Sequence, residues 1–405
     1  MINSTTKDIL HEASLLFNLA ASTLVLSIGS TFAPSLITSK VGTSLGKTAL
    51  SGLSLANVTA NLLCLSLVNG LMSASDSLSP QAFGYGNRRE VGLIAIRALF
   101  ACAFIIVPAQ IITYFNIVGI LSYLGQDETS IELAFEWYKI FLVSLPFTLI
   151  YTIAWKFLAA QEIMIPLVVV SAVSSFLILP MILDKLLSNM GFIGSSFANV
   201  IYQIVMAFTL MVYLMIAKPY YENTWPGLGA WREALSWEPF WTYLRLGLGG
   251  LLPIAEWWFW ECIYLIAGTM GVVPLNVHTV AATVIQLGFQ IPFGIGAALT
   301  IRLGNTLPNN VQKAKTLVIG CYIFTAFLMA IICSLIYAYR FKVYSLFTTD
   351  EDVIQVSMLH VIGILIIIVF YSLSTFIRLT CLHSRDAKKF GFLLFWASLQ
   401  CLSLL

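Results

Sequence analysis

The sequence predicts an all-α polytopic membrane protein of two pseudo-symmetric six-helix lobes, the second one helix short, with about 11 helices in all. Three observations predict it. The chain is 59% hydrophobic and only 10% charged, whereas a soluble domain carries about a quarter charged residues. It resolves into apolar runs of the about 20 residues that a helix needs to cross a bilayer. Finally, the loop Leu121-Ser-Tyr-Leu-Gly-Gln-Asp127-Glu128 recurs 223 residues later as Tyr344-Ser-Leu-Phe-Thr-Thr-Asp350-Glu351. At the same offset Gly84-Tyr-Gly-Asn87 meets Leu307-Pro-Asn-Asn310, a polar turn after the second helix of each half.

In order, the expected spans are 13–38, 50–74, 91–115, 133–158, 163–187, 192–217, 243–268, 276–300, 314–338, 353–377 and a last one from about 390. The first has no carboxylate between Glu12 and Lys40, so it cannot host a proton site. The second carries a polar group, Asn61, Asn69 and Asp76. Asp76 and Gln81 are expected to fasten its turn into the third span. The longest polar connector, 218–241, turns at Trp225-Pro-Gly-Leu-Gly and leads into a short amphipathic piece with Trp231, Leu235 and Trp237. It is expected to divide an N-terminal lobe, 1–217, from a C-terminal lobe, 242–405, and any coupling chemistry is expected in the latter.

The seventh span holds the unusual stretch Glu256-Trp257-Trp258-Phe259-Trp260-Glu261, with Glu256 near mid-membrane. A charged side chain at that depth costs about 2.5–3.5 kcal/mol, so the acid is protonated, paired or facing water, and each option suggests function. Glu256 shares a helix face with Phe259 and Trp260. Glu261, rotated from it by about 140°, stacks instead with Trp257, Trp258 and Tyr264. The aromatic faces beside Glu256 would attract a cation as well. In the eighth span Thr279, Thr283, Gln286 and Gln290 form one polar stripe on an otherwise apolar helix.

Lysine and arginine set the orientation. With the N-terminus inside, the cytoplasmic side collects Lys7, Arg88, Arg89, Lys218, Arg232, Lys313, Lys315, Arg385, Lys388 and Lys389. The outside holds Lys40, Lys47, Lys185, Arg340 and Lys342, so the positive-inside rule favours a cytoplasmic N-terminus. A net charge of +2 argues against a nucleic-acid partner. The seven cysteines lie singly in apolar spans and the four histidines lack ligand spacing, so neither a metal nor a cofactor is expected.

Several motifs together resemble those of eukaryotic multidrug and toxic compound extrusion (MATE) transporters. Asn61, then Gly70-Leu, Asp76-Ser-Leu and Gln81-Ala-Phe-Gly84, resembles their second helix, and Glu256-Trp-Trp with Glu261 their seventh. Ile291-Pro292-Phe-Gly-Ile-Gly-Ala-Ala followed by Arg302-Leu-Gly-Asn305 is similar to the end of their eighth. Leu346-Phe-Thr-Thr-Asp-Glu-Asp-Val353 is similar to their ninth-to-tenth loop.

The resemblance implies a central cavity and proton-coupled antiport of organic cations, xenobiotics or metabolites. With that cavity, the proton-coupling and substrate residues are expected to be Glu256, Glu261, Trp257, Trp260 and Asn61, with the helix 8 stripe Thr283, Gln286 and Gln290 lining the cavity opposite Glu256. The structural motif would be Asp76, Gln81, Gly84, Pro292, Arg302 and Asn305. The partners implied are a small-molecule substrate, protons and the bilayer, for a monomer in a plasma, vacuolar or vesicular membrane that is not an enzyme. The pattern also departs from the family. His383-Ser384-Arg385-Asp386-Ala387-Lys388 replaces Arg-Gly-x-Gly-x-Gln, Leu248 stands where a helix 7 proline is common, and Thr283 and Ser372 replace acids that certain members keep. Alternatives are a lipid or polysaccharide flippase of the same fold and a non-transporting remnant.

Overall fold

In hydrocarbon no water satisfies a backbone N–H or C=O, so each apolar run has to close its own hydrogen bonds as a helix. The structure, a computed structural model, describes the backbone of residues 4–161, 163–306, 311–363, 365–366 and 369. Of these, the side chains at 4–19, 22, 252–257, 297, 300–306, 311, 313 and 314 are outside the described set. The first six spans are Ser4–Ser44, Lys47–Gly84, Arg88–Tyr123, Glu128–Ala159, Ile165–Met190 and Phe192–Ala217. The seventh is a pair of helices, Trp237–Gly249 and Leu251–Thr269, meeting at Gly250. The eighth is Val272–Thr306 and the ninth Val311–Ala338.

Among the described residues eight helices are long and apolar enough to cross a membrane, and the chain is an all-α, multi-pass membrane protein. The expected tenth span falls partly, and the eleventh wholly, outside the described residues. The tenth begins as Glu351–Leu359.

The repeat has a structural counterpart in its acidic loops. Asp127 is the N-cap of the fourth span, its carboxylate accepting from the Ser130 N–H at 3.0 Å. Asp350, 223 residues on, is the N-cap of Glu351–Leu359 and accepts from the Val353 N–H at 3.3 Å. Both sit in extended backbone, so the same residue type starts the same element in each half by the same bond.

By packing, the chain gathers into two compact units. One compact unit is Lys40–His278; the other joins the first span, up to Ser39, to the described residues from Thr279 onward. Each unit therefore takes the opening helix of the other repeat. The reason is visible in small residues. In Lys40–His278 a Cβ on Gly70 would lie 2.2 Å from Leu251 Cδ2, and one on Gly247 would lie 3.0 Å from Leu71 Cα, so the seventh span approaches the second backbone to backbone. The Tyr243 hydroxyl, fully buried, bonds Ser75 Oγ at 2.8 Å and donates to the Leu71 carbonyl at 3.1 Å.

In the other unit the first span meets the eighth in a similar manner. Thr23 donates to the Gly294 carbonyl at 2.9 Å and Ser27 to the Gln290 carbonyl at 3.3 Å, while a Cβ on Gly294 would lie 3.1 Å from Leu24 Cα.

The connector is fastened to the Lys40–His278 unit. Buried Ala234 packs on Leu93 and Ile96, and buried Arg97 donates from Nε to the Ala234 carbonyl at 2.9 Å while pairing with Glu90. Gly92 leaves room for Thr224 O and Pro226 Cδ, each 2.3 Å from where its Cβ would stand. The Tyr221 N–H donates to Gln161 Oε1 at 3.0 Å. Of its tryptophans, Trp231 and Trp237 are exposed, and Trp237 stacks on Trp241 with ring centroids 6.0 Å apart.

Candidate functional site

A buried carboxylate in an apolar helix is the feature around which a site can be built. Glu261, on Leu251–Thr269, is 7% exposed and accepts a hydrogen bond at Oε1 from Asn61 Nδ2 at 2.9 Å. Its other oxygen, Oε2, is buried with no hydrogen-bond partner among the described residues. Close by in sequence, the buried Trp258 Nε1 is likewise without one. One turn on, Tyr264 meets the His278 ring edge to face, with centroids 4.3 Å apart. Phe259 and Trp260 are in T-shaped contact at 6.0 Å. An acid, an amide and several aromatic rings are thus gathered in the Lys40–His278 unit.

Asn61 owes its position to an irregularity. The second span runs as α-helix Lys47–Ala60, then one π-helical turn, Asn61–Leu65, then α-helix Ser66–Gly84. Within that turn the Asn61 carbonyl accepts from the Ser66 N–H, five residues ahead instead of four. The wider turn loosens the normal ladder, and the Leu62 carbonyl accepts the Ser66 hydroxyl at 2.6 Å. The Leu63 carbonyl accepts Gln110 Nε2, from the third span, at 2.9 Å. Gln110 Oε1 in turn accepts the hydroxyl of buried Tyr138, from the fourth span.

The expected site residues separate into groups. Asn61 and Glu261 meet. Glu256 and Trp257 stand on the same helix as Glu261, but their side chains, like those of Arg302 and Asn305, lie outside the described residues. Trp260 is half-buried beside Phe259. Thr279 and Thr283 are buried in the other unit, with the Thr283 hydroxyl donating to the Thr279 carbonyl at 2.8 Å. Gln286 and Gln290 are half-buried there, and Pro292 is buried in the same helix.

One expectation is corrected. Asp76 does not fasten the turn into the third span: its carboxylate pairs with Lys156 Nζ at 2.6 and 2.9 Å, tying the second span to the fourth. Gln81 and Gly84 are exposed, and the turn is made by main-chain bonds, Tyr85 N–H to Gln81 O at 2.9 Å and Asn87 N–H to Ala82 O at 3.0 Å, with Gly86 at φ +79°. The buried acid Glu261 belongs to the unit built from spans two to seven, where Asn61 and the glycine contacts hold its helix. Gln110 and Tyr138 were not singled out from sequence; a glutamine and a tyrosine in apolar spans are the only trace they leave.

Outside the spans, two carboxylates are held below their ordinary range. Asp127 is lowered by the Thr129 hydroxyl, then by the Ser130 N–H and hydroxyl. Glu233 is lowered by its hydrogen bond and charge pairing with Arg89, at 2.7 Å. Among the described residues no group of three or more histidine, cysteine or acidic side chains could hold a metal ion.

Residues 19–184 and 252–398 match the family model MatE. Over 322 residues the chain is 30% identical to rat multidrug and toxin extrusion protein 1, covering 76% of this chain and 54% of that one. The rabbit protein of that name is 29% identical over 321 residues, with the same coverages. Mouse multidrug and toxin extrusion protein 2 is 29% identical over 358 residues, covering 86% of this chain and 60% of its own. The chain thus spans little more than half the length of these relatives. Among solved structures it is similar in fold to the eukaryotic MATE transporter AtDTX14, with TM-score 0.75 and 20% identity, covering 92% of this chain and 83% of that one. It is also similar to an inward-facing MATE family transporter of the MOP superfamily, with TM-score 0.76, 17% identity and coverages of 96% and 88%.

Proposed function

The chain belongs to the MatE family, and on that premise we propose that it is a secondary active transporter, exporting organic cations, xenobiotics or metabolites in exchange for protons. The observation that carries this reading is the buried Glu261 carboxylate, held at one oxygen by Asn61, five residues after a second acid in the same apolar helix. Two carboxylates a turn and a half apart are poorly explained by packing alone. They suit a division of labour. Glu261, engaged by Asn61 across the second and seventh spans, positions the helix. Glu256 is the exchangeable acid that takes a proton or a cation.

A proton and a cation on one carboxylate exclude each other, so each weakens the other's binding, typically by about 1–3 kcal/mol. One proton in against one monovalent cation out moves no net charge, and the membrane potential, about 2.3 kcal/mol per charge per 100 mV, then has little effect. The protein acts as a monomer in a plasma, vacuolar or vesicular membrane, with no cofactor. The test is uptake of a fluorescent organic cation into proteoliposomes driven by an imposed proton gradient. Glu256→Gln should abolish the gradient-driven component, while Glu261→Gln should reduce transport and keep its pH dependence. Undiminished gradient-driven transport by Glu256→Gln at normal abundance would overturn the assignment.

A further inference from the structure

We propose that Gln110 and Tyr138 are positioning residues for the buried acid, acting through the π-helical turn of the second span. That turn lies between two parts of the span that both engage the seventh. Below it Leu71 and Ser75 are tied to Tyr243, and Gly70 and Ser73 are packed under Leu251 and Gly250. At its start Asn61 reaches Glu261.

One extra residue in a single turn rotates everything on one side of it by roughly 100° relative to an unbroken helix. With the lower part locked against the seventh span by glycine contacts, the π turn determines which side chain of the upper part faces Glu261. Reversion to α-helix would turn Asn61 away without unseating the rest. What holds the turn is a pair of side chains from other spans. Gln110 spends its amide N–H₂ on the Leu63 carbonyl and its amide oxygen on the Tyr138 hydroxyl, so both of its polar ends are used and its orientation is fixed. Gln110 is 6% exposed and Tyr138 is fully buried, so both bonds are shielded from bulk solvent.

The importance of this device for exchange rests on the transport reading above, but its test does not need transport. The purified protein in lipid is treated with dicyclohexylcarbodiimide, which modifies protonated carboxyls in apolar surroundings, and the modification of Glu261 is followed by mass spectrometry at fixed pH. Asn61→Leu should raise the initial rate at Glu261, followed at a pH where little of the acid is protonated, about tenfold or more, the loss expected for one buried hydrogen bond to a carboxylate. Gln110→Leu should raise it comparably, and Tyr138→Phe in the same direction by about twofold. The double variant Asn61→Leu/Gln110→Leu should be no faster than Asn61→Leu alone, because Gln110 acts only through Asn61.

Ser175→Ala, which breaks the 3.0 Å bond to Tyr202 elsewhere in the unit, should leave the rate unchanged. If Gln110→Leu fails to fold, Tyr138→Phe, which removes a single oxygen, carries the test. Unchanged labelling in Gln110→Leu and Tyr138→Phe, an additive double variant, or an equal rise in Ser175→Ala would each overturn the proposal. Failure of Glu256→Gln to block transport would overturn the transport reading and leave this one standing.

Discussion

Replacing Gly250 by alanine should separate the second and seventh spans, and the same change one residue earlier should not. A Cβ on Gly250 would stand 1.7 Å from Ser73 Oγ and 2.6 Å from the Gly70 carbonyl oxygen, whereas one on Gly249 meets nothing within 4 Å. The Ser73 hydroxyl can rotate away, but the Gly70 carbonyl is main chain. Carbon and oxygen in contact sit about 3.3 Å apart, so the helices must part by roughly 0.7 Å. A gap of that size forfeits a quarter to a half of each dispersion contact along the seam. It also lengthens the Tyr243 bonds to Ser75 and Leu71, now 2.8 and 3.1 Å, beyond useful range.

Overpacking costs about 1–3 kcal/mol and each weakened neutral hydrogen bond about 0.5–1.5, so Gly250→Ala should destabilise the protein by about 2–5 kcal/mol. Gly249→Ala, in open space within a helix, should be neutral or stabilising by up to about 1 kcal/mol. The assay is the midpoint of thermal aggregation of each variant in detergent against the parent. Equal midpoints for the two alanine variants would refute the close approach of spans two and seven.

Other predictions follow from single contacts. Asp127→Ala should lower stability near neutral pH by about 1 kcal/mol through loss of the N-cap. Because the folded-state pKa of Asp127 is depressed, that contribution is present above the ordinary carboxylate pKa near 4 and disappears as pH falls through the lower folded value, so the parent and variant melting curves should converge in acid. Arg97→Met should cost about 2–3 kcal/mol, since it strips the Ala234 carbonyl and leaves Glu90, itself 30% exposed, without its partner; faster proteolysis within 218–241 is the accompanying readout. Asp76→Asn should cost no more than about 1 kcal/mol, because its pairing with Lys156 is half in solvent, and a larger loss of melting temperature would contradict that reading.

The helices were legible because the bilayer imposes them. The sixth span, expected at 192–217, is Phe192–Ala217, since Gly191 at φ +60° and Lys218 at φ +41° both leave the helical region. The acidic loops were legible as a pair because an N-cap is a local device, complete within four residues. The partition into units was not. A repeat in sequence records what each segment is, whereas the exchange of the first and seventh helices depends on which surfaces fit. Here that fit is written in Gly70, Gly247, Gly250 and Gly294, whose meaning appears only when Leu251, Leu71, Ser73 and Leu24 are set against them.

The same distinction separates the two acids of the seventh span. Glu256 and Glu261 announce themselves as charges in an apolar run. What makes Glu261 a held carboxylate is Asn61, and what places Asn61 is a carbonyl of the second span, an amide of the third and a hydroxyl of the fourth. A π turn has no composition of its own. At Asn61–Leu65 a neighbour offers a donor to the Leu63 carbonyl, so the site's geometry belongs to the packing of three helices around one extra residue.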